Sequence, residues 1–383
     1  MTAVPLPMPQ VGPPGRVDAY GHARMPAPAD AAAPSKIDRV EYGRYRNVYV
    51  YITEACPLRC SGCYMGARLE RALKMSFETI SSTLTTWRQM GGSKITILGG
   101  EPTLHPRFED TIRLAGQLGY EHVITTSNGL AKANRKFRRL EPDDFAYVQI
   151  SLDGGSAQTH DAIRGPGTFD ETMKTVAELC ERGFDTRVIC TVNKANQTDC
   201  LRLLDIADDL GVSLVKFHVF SVIGRGHGSP ENGMTPPEWL DFCDRIHEKA
   251  AGYKTRVWYQ PTFARRDDMA RFEAEGYRGC IGRTLDRISV FPDGRAYVCS
   301  FLFDTDLHFA EMRDGKVVLN KGPNEFDLFT GALAKPSCGT SCKAPSSCMG
   351  GCPAEEIVDG RASCAEYPDI VPVCRLWKSV PAN

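Results

Sequence analysis

Residues Cys56-Pro57-Leu58-Arg59-Cys60-Ser61-Gly62-Cys63 place three thiols within eight residues, in the spacing Cys-x3-Cys-x2-Cys. The stretch closely follows an apolar run at 48–52, Val-Tyr-Val-Tyr-Ile, which predicts a buried strand. Loops at the carboxyl ends of strands carry the chemistry of α/β proteins. Structural zinc usually takes four protein ligands, and no fourth Cys or His is at hand. Three thiolates suit a four-iron cluster with one open iron; a zinc loop or three unrelated cysteines are the alternatives.

The composition describes an ordinary globular protein with an unusual number of cysteines. The chain has 383 residues, 42% of them hydrophobic, a net charge of −1 and 15 cysteines. The length favours two or three domains, and the charge gives no global field for nucleic acid or an anionic membrane. Residues 1–34 lack a signal peptide's features, and no apolar run is long enough to span a bilayer. We therefore expect a cytoplasmic protein whose clustered cysteines bind metal or iron–sulfur clusters rather than form disulfides.

Strand-like and helix-like segments alternate from residue 48 onward. Apolar runs predict strands at 48–52, 95–98, 122–126, 146–152, 186–192 and 214–220. Amphipathic segments predict helices near 76–90, 107–118, 169–183 and 198–210. This alternation indicates an α/β fold with a parallel sheet and right-handed crossovers. A doubly wound open sheet is one form that such a sheet can take.

The cysteine spacing at 56–63 resembles the signature of the radical S-adenosylmethionine (radical SAM) enzymes. The resemblance implies that Cys56, Cys60 and Cys63 hold a [4Fe-4S] cluster, whose free iron is chelated by the methionine part of S-adenosylmethionine. It also implies that the six units form a partial (β/α)6 barrel. The family usually has an aromatic residue just before the third cysteine, near the adenine. Here that position is Gly62, and Tyr64 is the candidate for the adenine contact.

Further motifs lie where the predicted strands end. Gly99, Gly100, Glu101 and Pro102 follow the second strand, where two glycines let the backbone approach a ligand closely. The resemblance implies that this segment binds the methionine amine. The remaining candidates for nucleotide binding are Ser127 and Asn128 for the ribose, and Ser151 and Arg164 for the methionine carboxylate. An Asn-Gly turn and a surface ion pair are the structural alternatives for Asn128 and Arg164. No residue is assigned as a catalytic acid or base.

The last hundred residues contain a second set of cysteines. Cys280 and Cys299 flank the turn sequence Phe291-Pro292-Asp293-Gly294, which predicts a hairpin. The remaining members of the set are Cys338, Cys342, Cys348, Cys352 and Cys374. A disulfide framework could use this many cysteines, but a cytoplasmic compartment argues against it. A zinc ribbon needs only four.

This set resembles the SPASM extension of radical enzymes that mature peptides, in which seven cysteines support two auxiliary iron–sulfur clusters. The resemblance assigns Cys280, Cys299 and Cys352 to the first auxiliary cluster. It assigns Cys338, Cys342, Cys348 and Cys374 to the second. The chain has Cys338-x3-Cys342 where the family usually has Cys-x2-Cys, and Cys364 is an alternative to Cys374. No cysteine lies in the stretch 272–279 before Cys280, so the alternatives for the first cluster are an open position, a ligand from Glu273 or Glu275, or a smaller cluster.

The motifs predict four segments along the chain. These are a disordered, Pro- and Ala-rich tail at 1–40, a radical SAM core at 41–230, a helical bridge at 231–278 and a SPASM domain at 279–383. The tail is too short and proline-rich for the leader-binding module that many peptide-modifying relatives carry. Within the bridge, Pro236-Pro237 predicts a helix start, with Trp239, Phe242 and Ile246 at helical spacing.

The resemblance implies an oxidoreductase that uses a 5′-deoxyadenosyl radical to abstract a hydrogen atom from its substrate. The predicted substrate is a peptide or protein side chain, as in ribosomal peptide maturases and sulfatase-maturing enzymes. The alternatives are dehydrogenation or epimerisation of a small molecule such as an amino sugar, and a non-catalytic iron–sulfur electron carrier. A flavodoxin- or ferredoxin-like reducing protein is the implied partner, with no nucleic acid and no membrane.

Overall fold

The computed structural model describes residues 45–259, 262–268, 270, 274, 287–303, 305–325, 367 and 369–372. All six predicted strands are present within one or two residues of their predicted bounds. They are β1 (Asn47–Thr53), β2 (Lys94–Gly99), β3 (His122–Ser127), β4 (Tyr147–Ser151), β5 (Thr186–Val192) and β6 (Leu214–Val219). Each pairs in parallel with the next. The predicted disordered tail at 1–40 lies outside the described residues.

The four predicted helices are also present, together with shorter ones. The helices are α1 (Arg68–Arg71), α2 (Phe77–Gln89), α3 (Phe108–Gln117), α4 (Ala131–Phe137), α5 (Ala157–Arg164), α6 (Thr168–Glu181), α7 (Asp199–Asp209) and α8 (Pro236–Ala250). Helix α8 begins as predicted, because Thr235 and Glu238 form a capping box on either side of the two prolines. Its residues Trp239, Phe242 and Ile246 are fully buried.

The strand order identifies the type of α/β sheet. Within the described residues, 11 strands form one sheet in the order β12-β11-β10-β9-β1-β2-β3-β4-β5-β6-β7. A doubly wound sheet reverses its strand order at a switch point, whereas β1 to β6 follow one another here without reversal. The sheet is open, with β7 and β12 at its edges. The fold is therefore the predicted partial (β/α)6 barrel.

The C-terminal strands continue the same sheet. The remaining strands are β7 (Arg256–Tyr259), β8 (Phe263–Arg265), β9 (Arg287–Val290), β10 (Arg295–Tyr297), β11 (Ala310–Arg313), β12 (Lys316–Leu319) and β13 (Ile370–Pro372). Strand β9 pairs in parallel with β1 and then begins an antiparallel run with β10, β11 and β12. The predicted hairpin is present: Phe291 N donates to Arg295 O (3.0 Å), and Gly294 has a φ of +83°.

The segment at 231–278 contains two short strands that the sequence analysis did not predict. The segment expected to be a helical bridge contains β7, which pairs with β6, and β8, which pairs with β13, in addition to helix α8. These strands are only three or four residues long, which is too short for a clear periodicity. Among the described residues, no helix is both long and apolar enough to cross a membrane.

Candidate active site at the carboxyl ends of the strands

The loop with the three cysteines leaves the carboxyl end of β1 and is held by its backbone. Ser61 N donates to Ile163 O near the end of α5 (3.1 Å), and Arg225 N donates to Cys63 O (2.9 Å). Gly224, beside Arg225, approaches Cys63 so closely that a Cβ there would lie 2.6 Å from its carbonyl oxygen. The elements after β4 and β6 thus fix the loop without using a thiol.

The three thiols lie near one another in a partly buried setting. Burial, with smaller contributions from Glu101, Cys60 and Cys63, raises the pKa of Cys56 to about 12. Burial likewise raises the pKa values of Cys60 and Cys63. A bound metal reverses this preference because it takes the thiolate as its ligand and deprotonates the thiol.

The thiol arrangement can be tested against the kind of metal site it suits. Among the described residues, no group of three His, Cys, Asp or Glu side chains is arranged to hold a single metal ion. A four-iron cluster makes a different demand, because each of its three cysteines binds a different iron. Three free, partly buried thiols on one loop are therefore a donor set that fits such a cluster.

The glycines after β2 pack against the cysteine loop. Gly100 N donates to Thr53 O, and Glu101 N donates to Ala55 O, each at 2.8 Å. A Cβ on Gly99 would lie 2.5 Å from Thr53 O, and one on Gly100 would lie 2.5 Å from Glu54 O. The close backbone approach predicted for these glycines is thus made to the strand end that begins the cysteine loop. Pro102 is buried and starts a short 3-10 helix, Pro102–Leu104.

The carboxylate of Glu101 ties the ends of β2 and β3 together. It accepts hydrogen bonds from Ser127 Oγ (2.9 Å), Asn128 N (2.7 Å) and Thr103 Oγ1 (2.6 Å). Burial raises the pKa of Glu101, although these hydrogen bonds favour the charged form. Its charge in turn raises the pKa of Cys56. The strand-end motifs predicted separately from the sequence therefore form one connected group beside the first cysteine.

Asn128 offers a free donor at this group. Its Oδ1 accepts from Leu130 N (3.0 Å), as the Asn-Gly turn alternative requires. Its Nδ2 is buried and has no hydrogen-bond partner among the residues that the structure describes. Buried donors are normally satisfied, so this one indicates a position where a ligand oxygen is accommodated.

Arg164 lies at the end of α5 near two of the thiols. Its Nε donates to Asp153 Oδ2 (2.6 Å), and Asp153 Oδ1 accepts from Thr191 N (2.8 Å). Burial opposes the charge, but Asp153 and the thiolates of Cys60 and Cys63 raise the pKa of Arg164. The ion pair is buried rather than on the surface, and the terminal guanidinium nitrogens have no partner within the described chain. Ser151, half-buried, is the last residue of β4.

An aromatic ring from elsewhere in the chain, that of Phe220, lies beside Gly62. A Cβ on Gly62 would lie 2.7 Å from Cε2 of Phe220, a buried residue directly after β6. A Cβ on Gly226 would lie 3.2 Å from Cζ of the same ring. Phe220 thus fills the space that a side chain at 62 would need. The sequence analysis missed this residue; the glycine at position 62 was the available signal.

Tyr64 and Cys299 both adjoin an aromatic wall. We use this name for Tyr51, Phe291, Tyr297 and Phe303. The rings of Tyr51 and Phe291 stack at 4.2 Å, and the hydroxyls of Tyr51 and Tyr64 are 3.0 Å apart. Cys56, Cys63 and Cys299 all pack against the apolar group that contains this wall. The first cysteine loop and a cysteine of the second set therefore contact one apolar group.

Cys299 is the only cysteine of the second set that lies within the described residues. It is buried, and its backbone N donates to the carboxylate of Glu325 (2.9 Å). The other predicted positions lie outside the described residues: Glu273, Glu275, Cys280, Cys338, Cys342, Cys348, Cys352, Cys364 and Cys374.

Residues 50–207 match the family described as the Radical SAM superfamily. The chain contains a radical SAM domain. The match to this family implies a [4Fe-4S] cluster and S-adenosylmethionine, and it supports an enzyme. It is 25% identical over 342 residues to the mycofactocin maturase MftC of Mycobacterium tuberculosis (strain ATCC 25618 / H37Rv), covering 86% of this chain and 83% of the relative.

Two further comparisons place the radical SAM domain in context. The chain is 26% identical over 268 residues to the AdoMet-dependent heme synthase of Methanosarcina barkeri (strain Fusaro / DSM 804), covering 66% of this chain and 75% of the relative. Streptococcus suis SuiB, solved bound to precursor peptide SuiA, has a TM-score of 0.68 at 15% identity, over 83% of this chain and 74% of that chain. The match to MftC spans more residues than lie before residue 208, so it includes part of the SPASM-like C-terminal extension.

Proposed function

We propose that this protein is a peptide maturase, a radical SAM enzyme that oxidises or cross-links a side chain of a peptide or protein substrate. The observation that carries the proposal is that cysteines of both regions, Cys56, Cys63 and Cys299, pack in one apolar group. Support for a peptide substrate comes from MftC and SuiB, whose likeness covers 86% and 83% of this chain. The match to the heme synthase covers less of the chain, 66%.

When bound, S-adenosylmethionine and a reduced cluster supply a 5′-deoxyadenosyl radical that abstracts a hydrogen atom from the substrate. Cys56, Cys60 and Cys63 would hold the cluster. The free terminal nitrogens of Arg164 suit the methionine carboxylate, since a guanidinium matches a carboxylate with two parallel hydrogen bonds. Asn128 Nδ2 suits a ribose oxygen.

Glu101 has a different part in this proposal from the one that the resemblance implies. Its carboxylate oxygens already accept from Thr103, Ser127 and Asn128. We propose that Glu101 and Ser127 orient the strand ends, and that Gly99 and Gly100 bring the segment against the cysteine loop. Pro102, Ser151 and Tyr64 remain proposed as lining of the nucleotide site.

The C-terminal extension would hold the auxiliary iron. We propose Cys280, Cys299 and Cys352 for one auxiliary cluster and Cys338, Cys342, Cys348 and Cys374 for the other. The proposed organisation is a core at 41–230, a bridge at 231–278 and a SPASM domain at 279–383. A flavodoxin- or ferredoxin-like protein would supply the electron in the cell.

Anaerobic product analysis tests the proposal. The full chain is reconstituted with iron and sulfide, reduced with dithionite, and incubated with S-adenosylmethionine in the presence and absence of candidate precursor peptides encoded by neighbouring genes. We expect 5′-deoxyadenosine in both cases and a mass change in a peptide. Fully iron-loaded protein that forms no 5′-deoxyadenosine would contradict the radical chemistry. Formation of 5′-deoxyadenosine with modification of an amino sugar, and of no peptide, would contradict the substrate class.

A further inference from the structure

A buried charged group joins the cysteine loop to the segment that carries Cys299. Its central residue is Arg68 in α1, whose side chain is completely buried. Arg68 Nη1 donates to Glu54 Oε1 (3.0 Å) and to Asp293 Oδ2 (3.2 Å). Arg71 donates to the other oxygen of Glu54 (3.1 Å) and to Asp293 Oδ2 (2.9 Å). Within the described residues, two cations therefore face two anions.

Arg68 also donates hydrogen bonds to the backbone close to Cys299. Its Nε and Nη2 both donate to Phe303 O, at 3.0 Å and 2.7 Å. Its guanidinium lies 4.1 Å from the ring centre of Phe291, and its Nη2 lies 3.4 Å from the hydroxyl of Tyr297. The same side chain thus touches Phe291, Tyr297 and Phe303 of the aromatic wall.

The residues that make these contacts lie close in sequence to the two cysteine regions. Glu54 lies two residues before Cys56, and α1 begins five residues after Cys63. On the other side, Tyr297 lies two residues before Cys299, and Phe303 lies four residues after it. Arg68 therefore connects the two cysteine regions through side chains that lie next to, but are not, the cysteines.

Burying such a charged group costs free energy, which raises the question of what it does that apolar side chains could not do. Replacing a buried ion network by apolar residues of similar size is often neutral or stabilising. An apolar side chain could fill the volume of Arg68, but it could not direct hydrogen bonds to Phe303 O, Glu54 and Asp293 in fixed directions. The network is thus suited to fixing a geometry.

We propose that Arg68 is a positioning residue that holds the Cys299 segment in place against the radical-forming loop. This inference rests on the proposed function, because it matters only if both cysteine regions bind clusters. Electron transfer between two such sites depends steeply on their separation. A rigid tie between the cysteine loop and the Cys299 segment would keep that separation constant while substrate binds.

Thiol labelling of the full-length, metal-free protein tests the tie directly. Wild type and Arg68→Lys are treated anaerobically with iodoacetamide, and the modification of each cysteine is followed by peptide mass spectrometry. Lysine keeps the charge but loses the guanidinium fork. We expect the labelling rate of Cys299 to rise about tenfold, as loss of a charge-assisted hydrogen bond eases local opening. Cys190, completely buried in the core, reports global unfolding and should not change.

Arg182→Lys is the matched control. Arg182 also donates to two backbone carbonyls, Phe137 O (2.9 Å) and Leu140 O (2.7 Å), but it lies far from Cys299 along the sheet. We expect it to leave the labelling of Cys299 unchanged. Labelling of Cys299 that is unchanged in Arg68→Lys, or that rises only in parallel with Cys190, would overturn the proposal.

A second measurement uses the reconstituted enzyme. We expect Arg68→Lys to bind less iron than wild type and to show an altered electron paramagnetic resonance spectrum, because Cys299 would no longer be presented correctly. Wild-type iron content together with a wild-type spectrum would overturn the inference. If wild type itself forms no 5′-deoxyadenosine, the proposed function fails, while the labelling experiment still decides whether Arg68 holds Cys299.

Discussion

Replacing Gly62 by alanine should strain the cysteine loop against Phe220. The added Cβ would lie 2.7 Å from Cε2 and 3.0 Å from Cδ2 of the ring, which is closer than carbon atoms approach in proteins. The ring is buried, and the backbone of Gly226 lies near its far end. Overpacking of this kind typically costs about 1–3 kcal/mol. We expect Gly62→Ala to lower the free energy of unfolding by that amount.

The assay is urea unfolding of the metal-free protein, followed by tryptophan fluorescence. Phe220→Leu replaces the ring by a smaller side chain. The double variant Gly62→Ala, Phe220→Leu should therefore lose less free energy of unfolding than the two single variants added together, with a coupling of about 0.5–3 kcal/mol. Gly116→Ala on α3 is the matched control, since a Cβ there meets nothing within 4 Å. Because alanine favours helix, this control should be neutral or stabilising by up to about 1 kcal/mol.

The same variants should also differ in their iron content. The loop that Gly62 occupies carries all three thiols of the proposed cluster, so a displaced loop should retain less iron after reconstitution. An unchanged urea midpoint for Gly62→Ala, or strict additivity in the double variant, would refute the reasoning. Either result would mean that Phe220 is free to move and does not position the loop.

Three further outcomes follow from the site. Cys60→Ala should abolish formation of 5′-deoxyadenosine, and retained formation would contradict the cluster assignment. Glu101→Gln places an amide donor among three groups that donate to the carboxylate, Thr103 N, Ser127 Oγ and Asn128 N. We expect the free energy of unfolding in urea to fall by about 1–3 kcal/mol. An unchanged urea midpoint would show that the group is not tightly packed. Burial, with the cation of Arg164, lowers the pKa of His160 to about 4 from 6.5. The stability that neutral His160 contributes is therefore complete above pH 6.5 and declines as the pH falls towards 4. The free energy of unfolding should fall less between pH 7 and pH 5 in His160→Gln than in wild type. An equal fall in both proteins would contradict this.

The sequence predicted those parts of the fold that depend on local pattern. Strands β1 to β6 are short apolar runs, and β1 to β4 end in glycine or small polar residues, so these limits are visible in the residues themselves. The cysteine loop, the Gly99–Gly100 segment and the strand-end residues Ser127 and Ser151 were found in this way.

What the sequence could not give is the pairing between distant residues. Nothing near Glu101 indicates that its carboxylate binds Ser127 and Asn128, and nothing near Arg68 indicates that it reaches Phe303. Strands β9 to β12 join the edge of β1 through tertiary pairing, which a pattern of three or four residues cannot specify. The same limit explains why Phe220 was missed: its relation to Gly62 exists only once β1 and β6 are brought into one barrel.

These distant contacts together explain how the thiols can be ready for a cluster before iron arrives. The cysteine loop is braced at its start by Glu54 and Arg68, in its middle by Ser61 N on Ile163 O, and at its end by Arg225 N on Cys63 O. None of these contacts uses a sulfur atom. The backbone is therefore fixed by groups that remain bonded whether or not metal is present, which lowers the ordering cost of binding. Because Arg68 also donates to Asp293 and to Phe303 O, we expect a displacement of the loop to reach the segment that carries Cys299.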